Sequence, residues 1–220
     1  MLNSFQNLAL LQNLYRLKAL GFQYSNPIVL NRQSDNTVLS NDPQQLHEMI
    51  RQCHLCDLSK SRAQSMGGTG NYNADVMFVD AYVSIAEDQG NHYFAGRSGN
   101  SLASMIKNVL KLRLEDVFVT HVVKCKPLGS NTPSPSEVKS CKPYLFKQIE
   151  LIKPRVIVTL GPDAYHHLSG DSSDFEQVRG HKITMEHYTL VPLYHPQYLL
   201  RNPSLKKETL HDLQTIKSLL

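Results

Sequence analysis

The sequence predicts an α/β sandwich, because short apolar segments that suit buried strands alternate with segments of helical periodicity. Four segments are rich in Val, Ile, Leu and Phe without regular polar alternation, which is typical of strands buried on both faces of a parallel sheet. These predicted strands occupy residues 76–79, 117–123, 156–160 and 190–194. Helical segments lie between them, which is the order expected for a parallel sheet flanked by helices.

The helical segments are recognised by their first residues and by the spacing of their apolar side chains. Pro43 follows Asp42 at the start of one helix, and proline suits the first turn. Ser134 and Glu137 form a capping box ahead of a long helix, with Pro135 in its first turn. The predicted helices run from 42 toward 53, over 98–112, over 134–152, from 161, and over 210–220.

The first part of the chain has a different character. Leu10, Leu14 and Leu17 fall at helical spacing, and Gly21 follows as a helix end. Residues 22–41 are polar and rich in Asn and Ser, which is typical of a linker. The sequence therefore predicts an N-terminal helix and linker over residues 1–41, and one folded domain over residues 42–220.

Composition narrows the class of protein. Hydrophobic residues make up 41% of the chain and the formal net charge is +4, so a polyanionic partner is permitted but not required. No apolar run approaches the roughly 20 residues that a membrane span needs, and polar residues interrupt the first segment, unlike a signal peptide. We expect a cytoplasmic protein with no membrane partner, and we expect it to act as a monomer.

The chain has four cysteines, which divide into two pairs. Cys53 and Cys56 are separated by two residues, and Cys125 and Cys141 by fifteen. Disulfides are disfavoured in the expected compartment, and four unrelated core cysteines do not explain the tight first pair. Four thiolates complete the coordination of a zinc ion or an iron–sulfur cluster, and the spacing does not separate these two.

Polar residues and a glycine stand at the ends of the four predicted strands. Asp80 follows the first, His121 lies late in the second, Gly161 follows the third and His195 follows the fourth. Ligands of such sheets bind beyond the carboxyl ends of the strands. We therefore expect these residues to share one cleft.

Five segments together resemble the family 4 uracil-DNA glycosylases, in order, from about Cys53 to Leu220. The first fifty residues lie outside the resemblance. The segments are Cys53-His-Leu-Cys56-Asp-Leu58, Val119-Thr-His-Val-Val-Lys-Cys125, Cys141-Lys-Pro-Tyr-Leu145, Val156-Ile-Val-Thr-Leu-Gly161 and His195-Pro-Gln-Tyr-Leu-Leu-Arg201.

The resemblance implies a three-layer sandwich whose central sheet has four parallel strands. It implies hydrolysis of the N-glycosidic bond of uracil in DNA, as a step of base-excision repair, with uracil-containing DNA as the partner. It also implies a structural 4Fe-4S cluster rather than zinc. The ligands carried over by the resemblance are Cys53, Cys56, Cys125 and Cys141.

The resemblance also assigns roles in the pocket. His195 corresponds to the histidine that donates a hydrogen bond to the leaving uracil, and Asp80 to the carboxylate that positions water. Phe94 corresponds to the aromatic residue that stacks on the flipped base. Ala81 and Tyr82 belong to the loop beside the base, and His121 takes the place of the base-reading asparagine.

Three further residues are expected to touch DNA, two of them by the same resemblance. Leu199 and Leu200 follow His195 in the segment that wedges into the minor groove, where apolar side chains help to offset the cost of unstacking. Arg201 is expected to contact phosphate.

The departures from the family pattern fall on the pocket. Residues 79–83 read Val-Asp-Ala-Tyr-Val where the family has Gly-Glu-Ala-Pro-Gly, His121 replaces Asn, and residues 90–94 contain one extra residue. One interpretation is altered base choice, for example hypoxanthine. Another is an iron–sulfur DNA-binding protein without catalysis. A general nucleotide-binding module is disfavoured, since no Gly-x-Gly-x-x-Gly follows the first strand.

Overall fold

A mixed sheet of six strands forms the middle layer of the part of the chain that this computed structural model describes, residues 39–128 and 132–220. The strands are β1 (Thr69–Gly70), β2 (Val76–Tyr82), β3 (Phe118–Val123), β4 (Val156–Leu160), β5 (Ile183–Thr184) and β6 (Thr189–Leu193), and their order across the sheet is β1-β3-β2-β4-β6-β5. The predicted N-terminal helix and most of the predicted linker lie outside the described residues.

The four long strands are parallel, as the sequence predicts. β2 lies between β3 and β4, and β4 pairs with β6. The register places Asp80 opposite His121 on one side and opposite Leu160 on the other. The two-residue strands β1 and β5 add antiparallel edges that the sequence analysis did not predict.

Helices cover both faces of the sheet. The α-helices are α1 (Pro43–Arg51), α2 (Ile85–Gly90), α3 (Gly96–Ser104), α4 (Pro135–Ile152), α5 (Gly161–Ser169), α6 (Phe175–Val178), α7 (Pro196–Arg201) and α8 (Lys206–Lys217). A π-helix over Met105–Leu110 continues α3, and single 3₁₀ turns lie at Asp57–Lys60 and Pro203–Leu205. Among the described helices, none is long and apolar enough to cross a bilayer.

Two apolar cores lie between the layers. On one face of the sheet, Met77 and Val79 pack with residues of α4, α5 and α6 such as Leu145. On the other face, Phe78 packs with residues of α3, the π-helix and α8 such as Ile106. Each of these buried side chains contributes about 1.5–3 kcal/mol by leaving water. The α/β sandwich expected from the sequence is confirmed.

Local sequence signals explain where the helices begin. The side chain of Asp42 accepts a hydrogen bond of 2.7 Å from the backbone N–H of Gln45, which caps α1. The predicted capping box of α4 is present, because Glu137 donates its backbone N–H to Ser134 Oγ and accepts the Ser134 N–H in return. The long helix α4 thereby holds Cys141 against the end of β3.

Candidate active site

The ends of β2 and β3 place two polar side chains on one face of the sheet. Asp80 and His121 are direct partners in the parallel pairing of these strands, so their side chains leave the sheet on the same side. The side is that of α3, because Phe78 and Val119, two positions earlier in each strand, belong to the core beneath α3. The predicted convergence of these two residues is therefore observed.

His195 joins this group from the end of β6. Its Nε2 lies 2.9 Å from Oδ2 of Asp80. Its Nδ1 accepts a hydrogen bond of 3.1 Å from the backbone N–H of Gln197, since His195 is the residue that caps α7. With Nδ1 occupied as an acceptor, the neutral ring carries its proton on Nε2 and donates it to Asp80.

The environment shifts both members of this pair toward their charged forms. Burial alone would raise the pKa of Asp80, but His195, His121 and the N–H of Ala81 lower it below its usual value. Burial would lower the pKa of His195, but the carboxylate of Asp80, with Glu87 and Asp163 further away, raises it. Asp80 is consequently an anion at neutral pH, held with one oxygen on Ala81 N–H at 2.7 Å.

Gly161 makes room for His195. The glycine lies at the start of α5 with φ of +83°, a backbone conformation that favours glycine, and a Cβ added to it would lie 3.1 Å from the Cβ of His195. Pro196 then occupies the first turn of α7 and fixes the chain direction after the histidine. Both features follow from the sequence, and together they set the place of the imidazole.

His121 is 1% exposed and is held by an acid that the sequence analysis did not name. Its Nε2 lies 3.3 Å from Oε1 of Glu87. The other oxygen of Glu87 accepts hydrogen bonds from the backbone N–H and the hydroxyl of Ser84, which form a capping box at the start of α2. Burial would raise the pKa of Glu87, but His121 and Ser84 lower it. The visible signal was the Ser-x-x-Glu spacing, which by itself indicates only a helix start.

Two aromatic residues lie beside this pair. Tyr93 stacks on the ring of His121, with ring centroids 5.3 Å apart and an interplanar angle of 25°. The Tyr93 hydroxyl accepts the backbone N–H of Gly68, which fixes the other end of the side chain. Phe94 is buried, and its backbone N–H donates to Nδ1 of His92 at 3.1 Å. Tyr93 lies in the segment that is one residue longer than the family pattern, and its ring covers one face of His121.

The two residues after Asp80 were expected in a loop, but they are the last two residues of β2, and they differ in exposure. Ala81 is buried, and what it offers the site is its backbone N–H on Asp80. Tyr82 is partly buried. Burial, together with the carboxylates of Asp163 and Asp80, raises the pKa of its phenol, so Tyr82 stays neutral.

The segment expected to wedge into DNA is a short helix, and one expectation for it is wrong. Leu199 is 1% exposed and belongs to the core, because it lies three positions after the buried Pro196 on the inner face of α7. It cannot serve as an exposed wedge in this arrangement. Leu200 is partly exposed and Arg201 is exposed, so these two remain available to a ligand.

The four cysteines line one small pocket. Arg62 spans its wall, with Nη1 donating to Sγ of Cys125 at 2.9 Å and Nη2 donating to the carbonyl of Cys53 at 2.6 Å. The backbone N–H of Lys124 donates to Sγ of Cys141 at 3.2 Å. Three separate segments of the chain therefore meet at this cavity.

The donor set of this pocket is four thiols. Among the described residues, no group of three or more His, Cys, Asp or Glu side chains is arranged to hold one metal ion. Four cysteine thiolates are the usual ligands of an iron–sulfur cluster. Four cysteines around one cavity, with N–H groups directed at two of the sulfurs, have the chemistry that iron–sulfur ligation requires.

Lys124 connects the cysteine cavity to the strand that carries His121. Its buried ammonium group donates to Thr120 Oγ1 at 2.7 Å, to the His121 carbonyl at 2.6 Å and to Gln148 Oε1 at 2.6 Å. Burial lowers the pKa of Lys124 to about 7. Because its own backbone N–H binds Cys141, this one residue contacts both sites.

Comparison with known proteins gives a consistent result. A family model described as the uracil DNA glycosylase superfamily matches residues 68–214. A type-4 uracil-DNA glycosylase of Pyrobaculum aerophilum is 37% identical over 180 residues, which cover 78% of this chain and 91% of the relative. The type-4 enzyme of Saccharolobus solfataricus is 35% identical, with 78% and 83% covered, and that of Sulfurisphaera tokodaii is 34% identical, with 80% and 84% covered.

Proposed function

This chain belongs to the type-4 uracil-DNA glycosylases, and we propose that Asp80 and His195 carry out its hydrolysis of the bond between uracil and deoxyribose. The observation that supports this assignment is the 2.9 Å hydrogen bond between the two side chains at the carboxyl ends of parallel strands. It brings a carboxylate and an N–H donor together at the edge of the sheet where ligands bind.

The reaction needs both groups. As the N-glycosidic bond breaks, positive charge develops on the sugar and negative charge on the uracil. The carboxylate of Asp80 stabilises the first and orients a water molecule toward the sugar, a contribution of about 10²–10⁴ in rate. The Nε2–H of His195 stabilises the second by donating to uracil O2, and loss of such a donor costs about 10²–10³ in rate.

Substrate binding exchanges the partners of these two groups. In the free protein the Nε2–H of His195 is bonded to Asp80 itself. When uracil O2 takes that proton donor, the released Oδ2 of Asp80 becomes free to accept a hydrogen bond from water. Gln197 continues to bind Nδ1 throughout and keeps the ring in the donating tautomer.

The base must leave the DNA stack to reach this pair. Phe94 supplies a stacking surface for the extruded uracil, which is worth about 1–3 kcal/mol. Leu200 is the apolar side chain placed to fill the vacated space, and Arg201 contacts phosphate. Ala81 and Tyr82, the last two residues of β2, border the base.

Cys53, Cys56, Cys125 and Cys141 line one pocket and would hold a 4Fe-4S cluster. Ligation by these residues would join the segment before Asp57, the end of β3 and helix α4. Arg62 and the N–H of Lys124 orient two of the sulfurs. We assign this group a structural role. The monomeric state and the cytoplasmic location remain predictions.

A second candidate function is an iron–sulfur DNA-binding homologue with lost or altered base specificity, for example for hypoxanthine. The observation that favours it is the histidine at position 121, which is bound to Glu87 where the family has an asparagine. A histidine offers one hydrogen-bonding atom on each side of its ring, whereas an asparagine amide offers a donor and an acceptor together.

Release of free base from oligonucleotides tests these alternatives. Anaerobically purified protein with visible cluster absorbance is incubated with U:G duplex, single-stranded uracil DNA and hypoxanthine DNA. We expect release of uracil, and we expect His195→Ala to reduce it by at least about 10² without changing the melting temperature. Binding of uracil DNA with no release of any base would instead support the DNA-binding homologue.

A further inference from the structure

Glu87 divides its two carboxylate oxygens between a helix cap and His121. Oε2 accepts from the N–H of Ser84 at 2.9 Å and from its hydroxyl at 2.7 Å, and Oε1 faces Nε2 of His121 at 3.3 Å. A carboxylate only accepts hydrogen bonds. The imidazole atom that faces it must therefore carry a proton, so Glu87 places the ring proton of His121 on Nε2.

The other nitrogen of His121 is left as a lone pair. In a neutral imidazole with its proton on Nε2, Nδ1 is an acceptor. Among the residues that the structure describes, Nδ1 of His121 is buried and has no hydrogen-bond partner. Buried acceptors are normally satisfied, so this atom is an unused acceptor that a ligand with an N–H can complete. A base reaches it once the side chains that cover it move aside.

The position of the ring connects this acceptor to the reaction. His121 lies directly opposite Asp80 on the same face of the sheet, and Asp80 holds His195. The three side chains therefore lie together at the strand ends. Tyr93 stacks on the imidazole and is itself bonded to Gly68, which restricts rotation of the ring.

We propose that Glu87 is a positioning residue that sets base choice, by holding Nδ1 of His121 as an acceptor for a ring N–H. This inference rests on the proposed glycosylase function and names its substrate class. Uracil has such a group at N3 and hypoxanthine at N1, each beside a carbonyl. Cytosine and adenine present a lone pair at the corresponding ring nitrogen, and an acceptor facing an acceptor repels. The site then selects deaminated bases as a class.

Glu87→Gln tests the role of the carboxylate with little change of shape. Glutamine also serves in a capping box, so the start of α2 is kept. Its amide can direct N–H groups at Nε2 of His121, which favours the opposite tautomer and turns Nδ1 into a donor. Ser84→Ala is the matched control, because it weakens the cap while the carboxylate still faces His121.

Two measurements detect the effect of these substitutions on His121 and do not depend on catalytic activity. The first is the ¹⁵N NMR spectrum of the His121 ring in the cluster-loaded protein, which reports the proton position. The second is binding of oligonucleotides that carry 2′-fluoroarabino-uridine, its N3-methyl derivative or the cytidine counterpart, whose glycosidic bonds resist cleavage. We expect wild type and Ser84→Ala to show the Nε2–H tautomer and at least about tenfold weaker binding of the last two probes. We expect Glu87→Gln to lose both properties.

The outcomes separate this inference from the proposed function. A proton on Nδ1 in the wild type, or unchanged binding ratios in Glu87→Gln, overturns the inference even if uracil is released. Tautomer and binding ratios as expected, in a protein that releases no base, support the inference and refute the proposed catalysis. Loss of base discrimination in Ser84→Ala as well would show that the cap, and not the carboxylate, is responsible, and would also overturn the inference.

Discussion

Asp80 and His195 are hydrogen-bonded at 2.9 Å although they are 115 positions apart in the chain, one on β2 and the other just after β6, which is not a neighbour of β2. β4 lies between β2, which ends near Asp80, and β6, which precedes His195. The residue that follows β4 is Gly161, and a side chain there would meet the histidine. The contact across β4 thus depends on the absence of a side chain at one position.

Replacement of Asp80 by asparagine is expected to remove most of the activity and little of the fold. The amide is neutral, so it neither stabilises charge on the sugar nor draws a proton from water. We expect single-turnover release of uracil to fall by about 10²–10⁴, with an unchanged circular dichroism spectrum. A variant that retained more than a tenth of the wild-type rate would contradict the role given to Asp80.

Gly161→Ala is expected to displace His195. An alanine at φ of +83° carries a strain of about 1–2 kcal/mol, and its Cβ also presses on the histidine. We expect the melting temperature to fall slightly and uracil release to fall by about tenfold to a hundredfold. Gly170→Ala is the control, because Gly170 has φ of +72° and nothing within 4 Å of an added Cβ. Equal losses of activity in the two variants would show that strain alone is responsible.

The pKa of His195 should depend on the carboxylate of Asp80 beside it. Because Asp80 raises the pKa of His195 above 6.5, the protonated ring favours the folded state below pH 6.5, and this stabilisation is lost as the pH rises through the folded-state pKa. We expect an NMR titration midpoint above 6.5 in the wild type. In Asp80→Asn, where burial is the main remaining influence, we expect the midpoint to move downward. An unmoved midpoint would mean that Asp80 is not the cause.

The two leucines of α7 are expected to behave differently. Leu199→Ala opens a cavity in the core and should cost about 2–5 kcal/mol of unfolding free energy. Leu200→Ala should leave the free energy of unfolding nearly unchanged. It should slow uracil release from duplex DNA, because unstacking the base costs a few kcal/mol and the leucine side chain no longer helps to offset that cost. Denaturant unfolding and assays of uracil release from duplex DNA separate the two effects. Uracil release from single-stranded DNA by Leu200→Ala should be affected less.

Arg62 is expected to help retain the cluster. Its guanidinium binds both a sulfur and a carbonyl of the ligand segments, so Arg62→Gln should make iron loss to a chelator about tenfold faster. The decay of visible absorbance under anaerobic conditions measures this loss. Arg51→Gln removes the same charge from an exposed side chain that pairs only with Glu48 among the described residues, and it should leave the rate unchanged. Equal rates of iron loss in the wild type, Arg62→Gln and Arg51→Gln would show that Arg62 does not help to retain the cluster.

The central sheet could be predicted because each of its four long strands is recognisable from the residues of that strand alone. Each of the four parallel strands is largely apolar, and burial on both faces favours such a composition. The edge strands β1 and β5 could not be predicted, since two residues such as Thr69–Gly70 carry no pattern and pair only because a longer strand lies beside them.

The site was partly predictable for the same reason. Asp80, His121 and His195 stand at strand ends, a place that topology marks in advance. Glu87 was missed because its spacing from Ser84 explains it as a helix cap, and its second partner is 34 positions further along the chain. Leu199 was misassigned because neighbouring leucines of a short helix look alike in sequence, and only packing decides which one is buried.

The cavity between Cys53 and Cys141 has a practical consequence for anyone who produces this protein. Its walls come from three stretches of chain, and Arg62 and the backbone N–H of Lys124 each donate to one of its sulfurs. Preparations that differ in iron content are therefore mixtures of molecules in which these three stretches are, or are not, joined by a bound cluster. Because the Lys124 side chain also binds the carbonyl of His121, batch-to-batch variation in iron should appear as variation in apparent base preference, and iron should be quantified before any preference is compared.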